Sequence, residues 1–137
     1  MISDNKTLVR RLMEDDISQG NEAVADEIIA PDFFDHTNPP GMQHGIVGHK
    51  AVVRLFRTSF PNMRWEIEDI QTDGDKVVIR TMMHGTHIGE FFGISPTNKQ
   101  VCASGIHVLR IANGKIAEHW GNNDDLGMMQ QLGVIPA

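Results

Sequence analysis

The sequence predicts an α+β domain in which helices pack on one face of a strongly curved, mainly antiparallel sheet. Three observations predict it. Apolar residues recur at three- and four-residue spacing as far as Pro61. Beyond that point apolar and polar residues alternate, a change from the helical to the strand period. Two turn dipeptides, Asp73-Gly74 and Asn113-Gly114, each separate a pair of strand-like runs. Helices first and hairpin-connected strands afterwards is the order of a domain whose helices are segregated to one face of its sheet. The 137 residues read as one domain over 1–137, without internal repeat or linker. A domain of this size buries about two-thirds of its unfolded surface, enough for a core with an internal pocket.

Taken in order, Ser3 or Asp4 can cap a first helix, whose inward residues are Leu8, Val9, Leu12, Met13 and Ile17 and which Gly20 ends. Asn21 can cap a second, shorter helix through Val24, Ile28 and Ile29; Pro31 stops it and pushes Ala30 toward extended geometry. Residues 33–36 read as a short strand, followed by a turn-rich loop to Gly48. A third helix is expected over residues 49–60, with Val52, Leu55, Phe56, Ser59 and Phe60 inward and Pro61 closing it. Strands are expected over 65–70 and 77–85 around the Asp73-Gly74 turn, then a loop over 85–98 holding a strand fragment. A final hairpin over 101–111 and 115–123 leads to a short apolar helix over 126–132.

The last hairpin admits two registers. A two-residue Asn113-Gly114 turn sets Ile111 opposite Ile116, Leu109 opposite Glu118, His107 opposite Trp120, Gly105 opposite Asn122 and Ala103 opposite Asp124, all on one face. A three-residue loop with a bulge slips the register by one and sets His107 across from His119. The first pairs two isoleucines and is preferred. In it His107 and Asp124 share a face about 13 Å apart, too far to touch but placed to line two parts of one pocket. Each polar group on that face also has an ordinary reading at the edge of the sheet, and Asp124 or Asp125 can simply cap the following helix.

Composition narrows the partners. A net charge of -6 with 12 scattered Lys and Arg offers no clustered basic face for nucleic acid. The single cysteine, Cys102, forms no intramolecular disulfide and no multi-cysteine metal site. No metal site is expected from the histidines either: His84 and His87 would face opposite sides of a strand, and His36, His44 and His49 lack a completing Cys or Glu-His spacing. The N-terminus lacks a basic-then-apolar signal pattern and no apolar run reaches membrane-spanning length, so a cytoplasmic protein without a membrane partner is expected. No Gly-x-Ser-x-Gly elbow supports a serine hydrolase.

Several segments together resemble one family. They are Phe34-Asp35-His36 after Ala30-Pro31; the run Gly85-Thr86-His87-Ile88-Gly89-Glu90-Phe91-Phe92-Gly93-Ile94-Ser95-Pro96-Thr97; Asn113-Gly114-Lys115-Ile116; Glu118-His119-Trp120; and Asp124-Asp125-Leu126-Gly127-Met128-Met129-Gln130-Gln131-Leu132-Gly133. In this the chain is similar, over nearly its whole length, to the SnoaL-like polyketide (ester) cyclases of the NTF2-like, or cystatin-like, superfamily. It departs from their pattern at Asn98, where the family usually has Gly. The resemblance implies a cone formed by a strongly bent sheet wrapped around helices. It also implies an intramolecular aldol ring closure without metal or organic cofactor, in which Asp124 is the acid/base, and a homodimer or homotetramer joined through an outer sheet face that includes Ile106, Val108 and Ala117.

An aldol closure removes a proton alpha to a carbonyl and returns one to the alkoxide. A carboxylate near its reference pKa of about 3.9 is a weak base, which apolar neighbours such as Trp120, Met128 or Met129 would strengthen. Asp124 and His107 are therefore the expected catalytic pair. His36, Trp120, Asn122, Phe91 and Met128 are the expected contacts to an apolar, cyclic or aromatic small-molecule substrate. Methionines also serve as plain core filler, and the histidines and the amide as structural hydrogen-bonding groups. With no tyrosine, the chain lacks the phenolic donor of a ketosteroid-isomerase-type site. The remaining reading is a non-catalytic small-molecule binding or dimerisation module.

Overall fold

The computed structural model describes the backbone of residues 2–137 and the side chains of residues 5–137. A first helix, α1 (Ile2–Arg11), runs into a π-helical turn, Leu12–Ile17, and is followed by α2 (Glu22–Ile28), β1 (Ile29–Asp35) and α3 (Gly45–Ser59). Then come β2 (Arg64–Asp73), β3 (Lys76–Thr86), β4 (Gln100–Ala112), β5 (Lys115–Asn123) and α4 (Asp125–Leu132). One curved sheet of five strands has the order β1-β5-β4-β3-β2, with β1 parallel to β5 and the other pairs antiparallel. The helix-then-hairpin order thus gives the expected α+β architecture, the sheet wrapped around the N-terminal helices.

The N-terminal helix buries Val9, Leu12 and Met13, as its spacing predicts; the side chains of Ser3 and Asp4, its expected caps, lie outside the described residues. Its last turn is widened. Ser18 N–H donates to the Met13 carbonyl at 3.1 Å, and Ser18 Oγ donates to the same oxygen at 2.6 Å while accepting from Trp65 N–H at 2.9 Å. This turn carries Asp16 into the interior, where it is 2% exposed. Asn21 caps α2 through Val24 N–H at 3.3 Å, and Ile29 is already extended (φ -99°, ψ 131°). Pro31 sits within β1, an edge strand, where its missing N–H breaks no ladder.

The third helix begins four residues earlier than expected, at Gly45 instead of residue 49. Gly48 looked like the last residue of a loop, yet it is helical and buried, because a Cβ there would strike the Gln43 carbonyl as the loop folds back. The inward stripe shifts accordingly: His49, Val53 and Ser59 are buried, while Val52, Leu55 and Phe56 are half-buried. The β2–β3 turn is Gly74-Asp75, one residue beyond expectation, with Asp73 paired to Lys76. A bulge at Glu68, between the pairs Ile67–Thr81 and Asp69–Arg80, lets Trp65, Ile67 and Ile70 all face the core despite their uneven spacing.

The β4–β5 hairpin corrects the expected register. Ile111 does pair with Ile116, but Ala117 is then bulged out, and Arg110 pairs with Glu118, Leu109 with His119, Val108 with Trp120, His107 with Gly121, Ile106 with Asn122 and Gly105 with Asn123. Trp120 and Asn122 therefore move to the rows of the outer face, and His119, Gly121 and Asn123 to the inner one. The reason is electrostatic. In the expected register Glu118 would face Leu109 in the core; the bulge turns it outward, where Arg110 Nε and His36 Nε2 donate to its two oxygens at 2.8 and 2.6 Å.

Two apolar clusters fill the cone. One joins Val9, Leu12, Ile28, Phe33, Ile79 and Leu109; the other joins Phe60, Met63, Met83, Phe91, Met128 and Leu132. Ile17 and Trp65 touch both. The loop between β3 and β4 is pinned to the end of α3, where Ile88 and Gly89 N–H donate to the Ser59 carbonyl at 2.9 and 3.1 Å and Ser59 Oγ donates to the Glu90 carbonyl at 2.6 Å. Asn98, where the chain departs from the family's Gly, takes the left-handed conformation (φ 59°) that asparagine tolerates better than most residues.

Candidate active site

Between sheet and helices lies a cavity of about 640 Å³, within the range of small-molecule sites. Most of its walls are apolar: Met13 and Ile17 from the N-terminal helix, Phe56 from α3, Trp65 from β2, Phe91 and Phe92 from the pinned loop, and Met129 from α4. Its polar side is the carboxyl end of β1 with the inner faces of β4 and β5. A carboxylate, two imidazoles and an amide form one hydrogen-bonded chain there.

Asp35 ends β1 directly beside His119 of the parallel strand β5. His119 Nδ1–H donates to Asp35 Oδ1 at 2.8 Å, and the same oxygen accepts from Thr37 N–H at 2.8 Å and Thr37 Oγ1 at 2.6 Å. His119 Nε2 is 2.9 Å from His107 Nδ1, and His107 Nε2 is 3.0 Å from Asn123 Oδ1. The two rings lie nearly parallel, 18° apart, and Trp65 packs its edge against His107 with centroids 5.7 Å apart. Glycines make the room. A Cβ on Gly121 would fall on His107 Nδ1, and one on Gly105 would fall on Asn123 Oδ1.

The charges follow from the surroundings. Burial raises the Asp35 pKa, but the hydrogen bond from His119, its positive charge and the two bonds from Thr37 outweigh burial and bring it down to about 2. For His107 burial is the main cause of a pKa lowered to about 4, with the charge of His119 adding to it and Asn123 and Asp35 opposing. At neutral pH Asp35 is ionised and His107 neutral. With the Asn123 oxygen facing His107 Nε2, that nitrogen donates, and His107 Nδ1 is the acceptor turned toward His119. The chain Asp35–His119–His107–Asn123 thus runs unbroken from a carboxylate to an amide, and the hydrogen bonds from His119 and Thr37 to that carboxylate all go to Oδ1 of a residue that lines the cavity.

Of the residues expected from sequence, His107, His36 and Phe91 line this cavity, and Asn122, exposed, lies at its rim. Trp120 does not line it; it stacks on His36 from the outer side, 4.8 Å between centroids and 9° between planes. Met128 is core filler in the second apolar cluster, and its neighbour Met129 lines the cavity instead. Asp124 is the N-cap of α4: its Oδ1 accepts from Gly127 N–H at 2.9 Å, its N–H donates to the Ser104 carbonyl at 2.8 Å, and the residue is exposed. Asp125, not Asp124, lines the cavity. Sequence reasoning missed Asp35, His119 and Asn123. A signal was present in the alternative register, which brought His107 to His119, and in Asp35 standing at the end of a short apolar strand.

Residues 7–132 match the family model of the SnoaL-like polyketide cyclase. Nogalonic acid methyl ester cyclase from Streptomyces nogalater is 34% identical over 113 residues, which span 79% of this chain and 82% of that protein. A proposed polyketide cyclase from Bacillus cereus, of known structure, is 33% identical with a TM-score of 0.83, covering 97% of this chain and 83% of the other. TsrD from Streptomyces laurentii shares the fold, with a TM-score of 0.89 over 97% of both chains at 24% identity.

Proposed function

We propose, from the premise that this chain belongs to the SnoaL-like polyketide cyclase family, that it closes a ring in an apolar, polyketide-like small molecule by intramolecular aldol chemistry. The observation that carries the reading is the carboxylate–histidine–histidine–amide chain set into a mostly apolar cavity. Asp35 Oδ2 takes the proton alpha to a substrate carbonyl. The electron pair so released forms the new carbon–carbon bond to a second carbonyl carbon, whose oxygen takes up a proton, so the product is an isomer of the substrate. A carboxylate with a pKa near 2 is a weak base in the resting site. Enolate delocalisation over a conjugated substrate lowers the demand on it, and proton sharing with His119 spreads the charge that develops. The proposed chemistry needs proton transfers alone.

The family resemblance gives the acid/base to Asp124, whereas the geometry favours Asp35 with His119. Nogalonic acid methyl ester, named for the relative from Streptomyces nogalater, is the first substrate to test, with ring closure followed as a new chromatographic peak of unchanged mass. Asp35→Asn and His119→Asn are expected to lower turnover at least about 100-fold, as loss of a general acid/base does, with the circular dichroism spectrum retained. Asp124→Asn keeps a capping side chain and is expected to stay within a few-fold of wild type. Loss of turnover in Asp124→Asn alone would move the acid/base to that residue. Tight binding without turnover in the wild type would leave a binding module.

A further inference from the structure

The helical wall of the cavity holds a second histidine–carboxylate pair that the reading above leaves unused. His49 Nε2 and Asp16 Oδ2 are 2.6 Å apart, and the two side chains are only 8% and 3% exposed. His49 stands on α3 and lines the cavity beside Val52, Val53 and Phe56. Its ring meets Phe33 edge-on at 5.7 Å between centroids. Asp16 stands behind it, brought inward by the π-helical turn that ends the first helix.

Neither feature is a cheap way to build a core. A buried salt bridge often adds no stability over apolar residues of the same volume, and a π-helical turn is a rare geometry found frequently at functional sites. The pairing also fixes the ring. With Nε2–H donated to the carboxylate, the imidazole is held in one orientation and one tautomer, as a catalytic base is held by its partner acid. Among the described residues Nδ1 of His49 has no protein partner, and the cavity is the space the ring borders.

We propose that His49 is a second catalytic residue of this site, delivering the proton to the oxygen of the attacked carbonyl while the sheet-side chain works on the carbon, with Asp16 as its positioning residue. The proposal rests on the ring-closing reading and assigns its second half-step. The donor form of His49 carries protons on both nitrogens against the Asp16 carboxylate. As the carbon–carbon bond forms, the carbonyl π pair moves to oxygen, which takes the Nδ1 proton, and His49 is left neutral with Nε2–H still on Asp16. The proton held by Asp35 then returns to Nδ1 through solvent at the cavity mouth, so one proton has moved from carbon to oxygen and both groups are restored.

The test uses the whole chain with nogalonic acid methyl ester. His49→Gln keeps an amide that can donate to Asp16 and removes the titratable ring. It is expected to lower kcat about 100-fold while KM changes less than about three-fold. His49→Ala is expected to regain activity at least ten-fold on addition of imidazole, a rescue that a merely structural role would not show. Asp16→Asn is expected to lower kcat with KM preserved. Unchanged kcat in His49→Gln, where His119→Asn is inactive, would overturn this proposal and leave the ring-closing reading standing. Histidine 15N spectra give a readout independent of turnover: addition of the methyl ester is expected to shift His49 Nδ1, and an unmoved Nδ1 would overturn the assignment whether or not the wild type closes a ring.

Discussion

Asp35 and His107 sit in one hydrogen-bonded chain and share a response to acid. The Asp35 pKa falls from its ordinary 3.8 to about 2 in the fold, so its contribution to stability is full above about pH 4 and is lost as pH falls toward 2. The His107 pKa is lowered from 6.5 to about 4. The unfolded chain therefore binds the proton first, and stability drops as pH falls from about 6.5 to 4. Both groups make the fold acid-sensitive, in adjoining windows. Urea unfolding midpoints measured from pH 7 to 2 are expected to decline in both. His107→Gln should flatten the upper window and Asp35→Asn the lower; an unchanged upper slope in His107→Gln would contradict the buried neutral ring. At this scale the sequence identified His107 but not its partners. Residue type and spacing show that a histidine faces inward, whereas Asp35 and His119 meet across strands 84 positions apart in sequence, a proximity created only by the parallel pairing of β1 with β5.

Among the elements, one cap and one turn were the most legible. Asn21 and the Asn113-Gly114 turn behave as their local chemistry predicts. The start of α3 and the two bulges were not legible, because each is decided by a tertiary contact: Gly48 against Gln43, Trp65 and Ile70 against one core, Glu118 against Arg110 and His36. The cap on α4 was legible as an alternative, and the structure assigns it to Asp124. The glycines of β4 and β5 show how strands accommodate a site. Gly121→Ala would force the His107 ring away from His119, and is expected to destabilise the protein by about 1–3 kcal/mol, the usual range for overpacking. Urea titration measures that loss. Combined with His119→Asn, Gly121→Ala should lower turnover little further, since both break the same chain of hydrogen bonds.

The whole molecule is a cone with two cores and a cavity between them, and its overall plan was readable from the change of period near Pro61. What was not readable is which side chains the cavity receives, since that depends on sheet curvature and on the bulges that set it. On the outside of the sheet, Ile106 is 56% and Val78 36% exposed, in rows that continue through Val108 and Trp120. Ile106 and Val108 belong to the outer face, with Ala117, through which the family resemblance implies self-association. Ile106→Glu is expected to shift the protein toward monomer in light scattering after size exclusion, because a charge at a buried apolar interface is costly. The cavity, on the other side of the sheet, should keep its ligand affinity.

The bulge at Ala117 also bears on how relatives correspond to one another. The last strand changes phase along its length, with Ile116 inward before the bulge and the odd positions His119, Gly121 and Asn123 inward after it. Two cyclases that agree letter for letter along this strand, but place the extra residue one position apart, would offer different side chains to their substrates. Correspondence between such relatives is therefore a matter of phase, counted from the bulge, and not of column in an alignment.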